Sequence, residues 1–67
     1  MTPLAQGRAA ATILLGQPRF EIIRIRTRTQ IRIEQLLEAN TDPEDVVLQT
    51  LLGFEDELGE FLKRRTQ

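Results

Sequence analysis

The amino-acid sequence predicts an α+β fold in which one strand is followed by two helices, and three observations predict it. From Ile23 to Ile33 every second residue is β-branched (Ile23, Ile25, Thr27, Thr29, Ile31, Ile33), and every residue between is polar. That period of two is the pattern of a half-buried strand. Further on, Val47, Leu51, Phe54, Leu58 and Phe61 recur at 4-3-4-3 spacing, the pattern of an amphipathic helix. "TQIRIEQLLEAN", which overlaps the end of the alternating run, turns helical and gathers Ile33, Leu36 and Leu37 on one helical face.

The chain has 67 residues, enough for a single domain. A domain of this size buries only about 60% of the surface its unfolded chain exposes, so its core is marginal without a supplement. With no cysteine and no histidine, disulfides and zinc sites are excluded as that supplement. Self-association remains, and a homodimer is expected.

Residues 1–18 read as an N-terminal arm. "PLAQGRAAATILLG" suits a helix through its alanines or a short strand through "ATILL", and the arm stays open between an ordered element and a mobile tail. Residues 19–67 read as the dimerisation domain. "RFEIIRIRTR" is its strand, with Ile23, Ile25 and Thr27 on one face and Arg24, Arg26 and Arg28 on the other. The alternative is an all-α helical hairpin. Pro18 then opens a long helix running to Ala39, with Ile22, Ile25, Thr29, Ile33 and Leu36 on one side. Mutual repulsion of Arg24, Arg28 and Arg32 at four-residue spacing opposes that helix. Asn40 suits the end of the element before the turn.

The last helix has the clearest signals. Asp42 is a candidate N-cap, Pro43 fits the first helical position, and Glu44 and Asp45 favour the positive end of the dipole. Lys63, Arg64 and Arg65 complement its other end. Gly53 and Gly59 cost helix propensity, which points to a kink or to close approach by another helix.

Net charge is −1, but the charge comes in blocks. Residues 19–33 carry +4, residues 34–62 hold nine acids and no base, and residues 63–65 carry +3. The arginine row therefore faces either a ligand or the chain's own acidic part.

Composition narrows the chemistry. Histidine, cysteine, serine, tyrosine and tryptophan are all absent, so the usual nucleophile-and-base pairs have no members. The four glycines match neither a Walker loop nor a dinucleotide fingerprint. "DPED" and "EDELGE" lack the glycine turn and distal glutamate of a calcium loop, and no histidine follows a glutamate as a di-iron site needs. A non-enzymatic protein without metal or cofactor is expected. No leader opens the chain and "AAATILLG" is too short to span a bilayer, so a soluble cytoplasmic protein that binds no membrane is expected.

The order carried by "RFEIIRIRT", "TQIRIEQLLEAN" and "DPEDVVLQTLLGFEDELGEFL" resembles the ribbon-helix-helix family of DNA-binding dimers over residues 19–62. The resemblance lies in element order and hydrophobic pattern. It implies a small DNA-binding regulator, repressor-like or antitoxin-like, whose paired strands enter the major groove of double-stranded DNA. Arg24, Arg26 and Arg28 would then take the base-facing positions, where arginine reads guanine bidentately. Ile23, Ile25, Val47, Leu51, Phe54, Leu58 and Phe61 would form the dimer core. In the family a phosphate is held at the start of the second helix, where this chain places Asp42, Glu44 and Asp45. The alternative function is an adaptor or assembly factor that binds protein through the acidic helix or the N-terminal arm, with no nucleic acid.

Overall fold

The structure, a computed structural model, describes residues 1–65; the last two residues of the expected 19–67 unit lie outside them. Helix α1 spans Pro3–Thr12 and runs into a 3₁₀ turn at Ile13–Gly16. Helix α2 spans Arg19–Glu38 and helix α3 spans Val46–Arg65. Among the described residues there is no strand, so the fold is all-helical.

The expected strand at residues 19–28 is therefore corrected to the first half of α2. Both periods are written into the same residues, and packing decides between them. Ile22, Thr29 and Ile33 are buried, with Ile25 and Leu36 half-buried beside them, which is the face of the long-helix alternative. Burial of one such isoleucine contributes about 1.5–3 kcal/mol. The helix-propensity deficit of a β-branched residue is at most about 0.7 kcal/mol. A strand would also need a second strand for its backbone groups, whereas a helix satisfies them internally. The threonines adapt: the hydroxyls of Thr27 and Thr29 donate to the carbonyls of Ile23 and Ile25, at 2.9 and 2.8 Å.

The ends of the helices follow local chemistry. Thr2 caps α1 by accepting from the Ala5 amide at 3.2 Å, and Pro3 occupies its first turn. At the end of α2, Asn40 takes a left-handed conformation with φ of 60°. The Thr41 amide donates to the Leu36 carbonyl and the Asn40 amide to the Leu37 carbonyl, each at 3.1 Å. This pair of bonds is the Schellman motif. The N-cap of α3 differs from the expected Asp42. Asp45 Oδ1 accepts from the Val47 and Leu48 amides at 2.9 and 3.1 Å, and the helix starts at Val46. Asp42 instead closes the loop by accepting from the Glu44 amide at 2.8 Å.

Helix α3 is the centre of the molecule, with α1 packed on one side and α2 on the other. Gly7 lies against Thr50 and Phe54, and Arg8 pairs with Asp56, so α1 runs parallel to α3. Arg26 reaches Glu55 and Arg19 reaches the Leu62 carbonyl, so α2 runs antiparallel. The core gathers Ala11, Ile22, Leu58 and Leu62, with Leu14, Ile25, Phe54 and Phe61 packed against it. All three helices contribute to it. With no strand to pair among the described residues, the expected ribbon-helix-helix-like interlocking is corrected to a three-helix arrangement, in which α1 and α2 cover much of the apolar stripe of α3. Leu58, for instance, is only 1% exposed.

The α1–α3 contact is made backbone to backbone. A Cβ on Gly7 would stand 1.9 Å from the Thr50 carbonyl oxygen, and one on Gly53 would stand 2.1 Å from the Leu4 carbonyl oxygen. Only hydrogen fits at either position.

Candidate interaction surface on α2

The three arginines assigned to one strand face are parted by the helix. At roughly 100° per residue, Arg24 and Arg26 point to opposite sides of α2, while Arg28 lies near Arg24. Arg26 turns inward. Its Nε donates to Glu55 Oε1 at 2.9 Å, and Gln30 Nε2 donates to the same oxygen at 3.0 Å. Its guanidinium lies over Gly59, where a Cβ would come within 3.0 Å of it. The missing side chain at Gly59 is the seat of that guanidinium.

Arg24 stays on the surface and meets Glu21 at 3.6 Å, one helical turn away. Arg28 and Arg32 are exposed and form no ion pair among the described residues. Arg24, Arg28 and Arg32 thus make an outward row at four-residue spacing. Arg19 donates to the Leu62 carbonyl at 3.4 Å, near the end of α3. The blocked charge of the chain is answered in part internally. Glu55 answers Arg26, Asp56 answers Arg8, and Glu57 answers Arg64.

Beside the arginine row runs a second apolar stripe on α2. Phe20, Ile23 and Ile31 are 66%, 43% and 51% exposed, and Thr27 lies between them. At 3-4-4 spacing the four fall within about 80° of arc on the face turned away from the core. The edge of this stripe opens into a groove between α2 and α3, with a volume of about 370 Å³. Ile23, Thr27 and Leu62 form its apolar wall, Gly59 lies in its lining, and Arg19, Arg26 and Lys63 bring positive charge to it.

The residues expected as a dimer core are dispersed. Leu58 is buried, Ile25, Phe54 and Phe61 pack on the core, and Leu51 is half-buried. Ile23 faces outward on α2, and Val47 stands exposed in the first turn of α3. Among the described residues no helix is long and apolar enough to cross a membrane. None of their acids gather into a group that would hold a metal ion.

Two features escaped the sequence reading. Gly7 gave no signal because a glycine in an alanine-rich stretch looks like a propensity defect until its neighbour is known. The stripe of Phe20, Ile23 and Ile31 was masked by the alternation, which assigns Ile23 and Ile25 to the same side. Comparisons with protein-family models, curated proteins and solved structures each find no match.

Proposed function

We propose that this chain is a small non-enzymatic interaction module, an adaptor that takes a protein partner on the outward face of α2. One observation carries the reading: the helix that already buries one apolar face in the core carries a second one outside. Isolated exposed hydrophobes are ordinary on a protein surface. Phe20, Ile23 and Ile31 instead line up along one helix, with Thr27 between them and arginines at their edge, and such aligned exposed hydrophobes mark protein interfaces. Arginine and phenylalanine are among the residue types enriched at such interfaces.

Duplex DNA is the competing occupant, because three arginines at four-residue spacing also suit phosphates. The apolar stripe on the same face argues for protein. The acids at Glu34 and Glu38, exposed on α2, and those at Asp42 and Glu44 oppose a polyanion.

The test places a photo-crosslinking amino acid at Phe20, Ile23 or Ile31 and, as a control, at exposed Ala9 or Glu44. Discrete protein adducts from the three α2 positions, absent from the controls, are expected in the cell of origin. Equal labelling at all positions, or none on α2, overturns the reading. A parallel titration with mixed-sequence duplex DNA at two salt concentrations addresses the competitor. Tight binding that falls steeply with salt and vanishes in Arg28→Gln/Arg32→Gln would replace the protein partner with nucleic acid.

A further inference from the structure

Resting on that reading, we infer that the partner is an amphipathic helix of another protein with acidic residues at four-residue spacing along one edge of its apolar stripe. Positive charge on α2 is left unanswered within the described residues. Arg8, Arg26 and Arg64 each meet a carboxylate of α3. Arg28 and Arg32 meet none among the described residues, and Arg24 has only the 3.6 Å contact to Glu21. These three stand on one edge of the Phe20–Ile23–Thr27–Ile31 stripe. A helix laid along α2 covers the stripe with its own apolar face and brings one of its flanks to the arginines.

Spacing selects the element. Residues four apart on a helix advance about 6 Å, so Arg24, Arg28 and Arg32 present cations at steps of about 6 Å. Acids at i, i+4 and i+8 of a helix running alongside advance by the same step and meet them in register. From Phe20 to Ile31 the stripe is about 16 Å long, the rise of three helical turns. Coverage of that length is helix-on-helix packing, in which apolar anchors supply affinity and flanking charge supplies orientation.

Three other occupants fit less well. Two α2 helices paired antiparallel about a two-fold axis bring like edges together, so the arginine row of one copy would face that of the other. A flat anionic bilayer would meet Glu34 and Glu38 on the outer face of α2 together with the arginines. Duplex DNA would meet the same acids and would leave Phe20 and Ile31 against a phosphate backbone.

The test uses the full chain and two fluorescent helical peptides of roughly 18 residues, about five turns. Both carry leucines at 3-4 spacing. One has glutamates at four-residue spacing along a single edge, and the other has lysines at those positions. Fluorescence anisotropy is expected to show the glutamate peptide bound and the lysine peptide bound far more weakly. Arg28→Gln/Arg32→Gln should weaken the glutamate peptide by roughly two- to thirty-fold, the range for two exposed ion pairs, and should leave the lysine peptide no weaker. Phe20→Ser should weaken it as well. Circular dichroism of both variants should match the wild type, since all three positions are exposed.

Equal binding of the two peptides, or none of either, overturns the inference. Equal binding that Phe20→Ser still abolishes leaves the α2 face as the interaction surface and removes only the acidic helix. Concentration-dependent dimers lost in Phe20→Ser, or stronger uptake by phosphatidylserine vesicles than by the glutamate peptide, overturn it in favour of a second copy or a lipid surface.

Discussion

Glycine does opposite things at three positions of this chain, and the neighbours decide which. At Gly7 and Gly53 the partner helix's backbone occupies the place of a side chain, whereas nothing stands within 4 Å of a Cβ at Gly16. Alanine gains about 1 kcal/mol of helix propensity over glycine. Against a rigid backbone oxygen near 2 Å, that gain is outweighed by displacement of a whole helix. Gly7→Ala and Gly53→Ala should each destabilise the fold by about 1–3 kcal/mol, the usual cost of overpacking. Gly16→Ala should stay within about 0.5 kcal/mol of wild type. Thermal melts followed at 222 nm separate the three, and equal melting temperatures would show that α1 does not pack as described. Arg26 is a milder case. Its pair with Glu55 is part-exposed, so Arg26→Ala should cost about 1 kcal/mol or less in urea unfolding.

At the scale of the element, α2 provides the sharpest contrast. Two adjacent isoleucines differ in every respect that matters: Ile22 is 0% exposed and Ile23 is 43% exposed. Ile22→Ala should cost about 2–5 kcal/mol, enough to unfold most of so small a domain. Ile23→Ala should change stability by about 0.5 kcal/mol. The strand phase predicts the reverse order, so chemical denaturation of the pair tests the helix directly. The start of α3 offers a second test. Asp45 satisfies two amides of the first turn while Asp42 satisfies one in the loop. Asp45→Ala should therefore cost about 0.5–2 kcal/mol. Asp42→Ala should cost less.

At the scale of the whole molecule, stability rests on the sandwiching of α3 between two helices of opposite direction. Leu58 touches the interior from the middle of α3 and is closed off within one chain. A carboxylate there would sit in the cluster of Ala11, Ile22 and Leu62, and burying a charge in an apolar core is among the costliest changes it can suffer. Leu58→Asp should give an unfolded chain by circular dichroism. A folded monomer made from a dimeric wild type would instead show that α3 is an intermolecular seam, and sedimentation of both proteins distinguishes the two. Deletion of residues 1–12 should likewise abolish the cooperative melt, because it uncovers Gly53 and Phe54 and removes Ala11 from the core.

How much of this was legible depended on whether the cause was local. Residues that act on their own backbone were readable in part: the stop at Asn40 and the 4-3-4-3 stripe from Val47 to Phe61 were, whereas the cap of α3 fell to Asp45 rather than the expected Asp42. The possibility of a helix over 19–39 with Ile22, Ile25, Thr29, Ile33 and Leu36 inward was also readable, beside the strand. The choice between them was not, since a run of alternating β-branched and arginine residues satisfies both periods. Tertiary structure decided it, because α3 and α1 supply a surface that only the helical phase can cover. The same contact decided which arginines stay free. Arg26 was claimed by Glu55 across 29 residues of chain and seated on Gly59, while Arg28 and Arg32 were left outside. No local rule contains that distinction: ion pairs between helices depend on crossing and register, which exist only once the helices have packed.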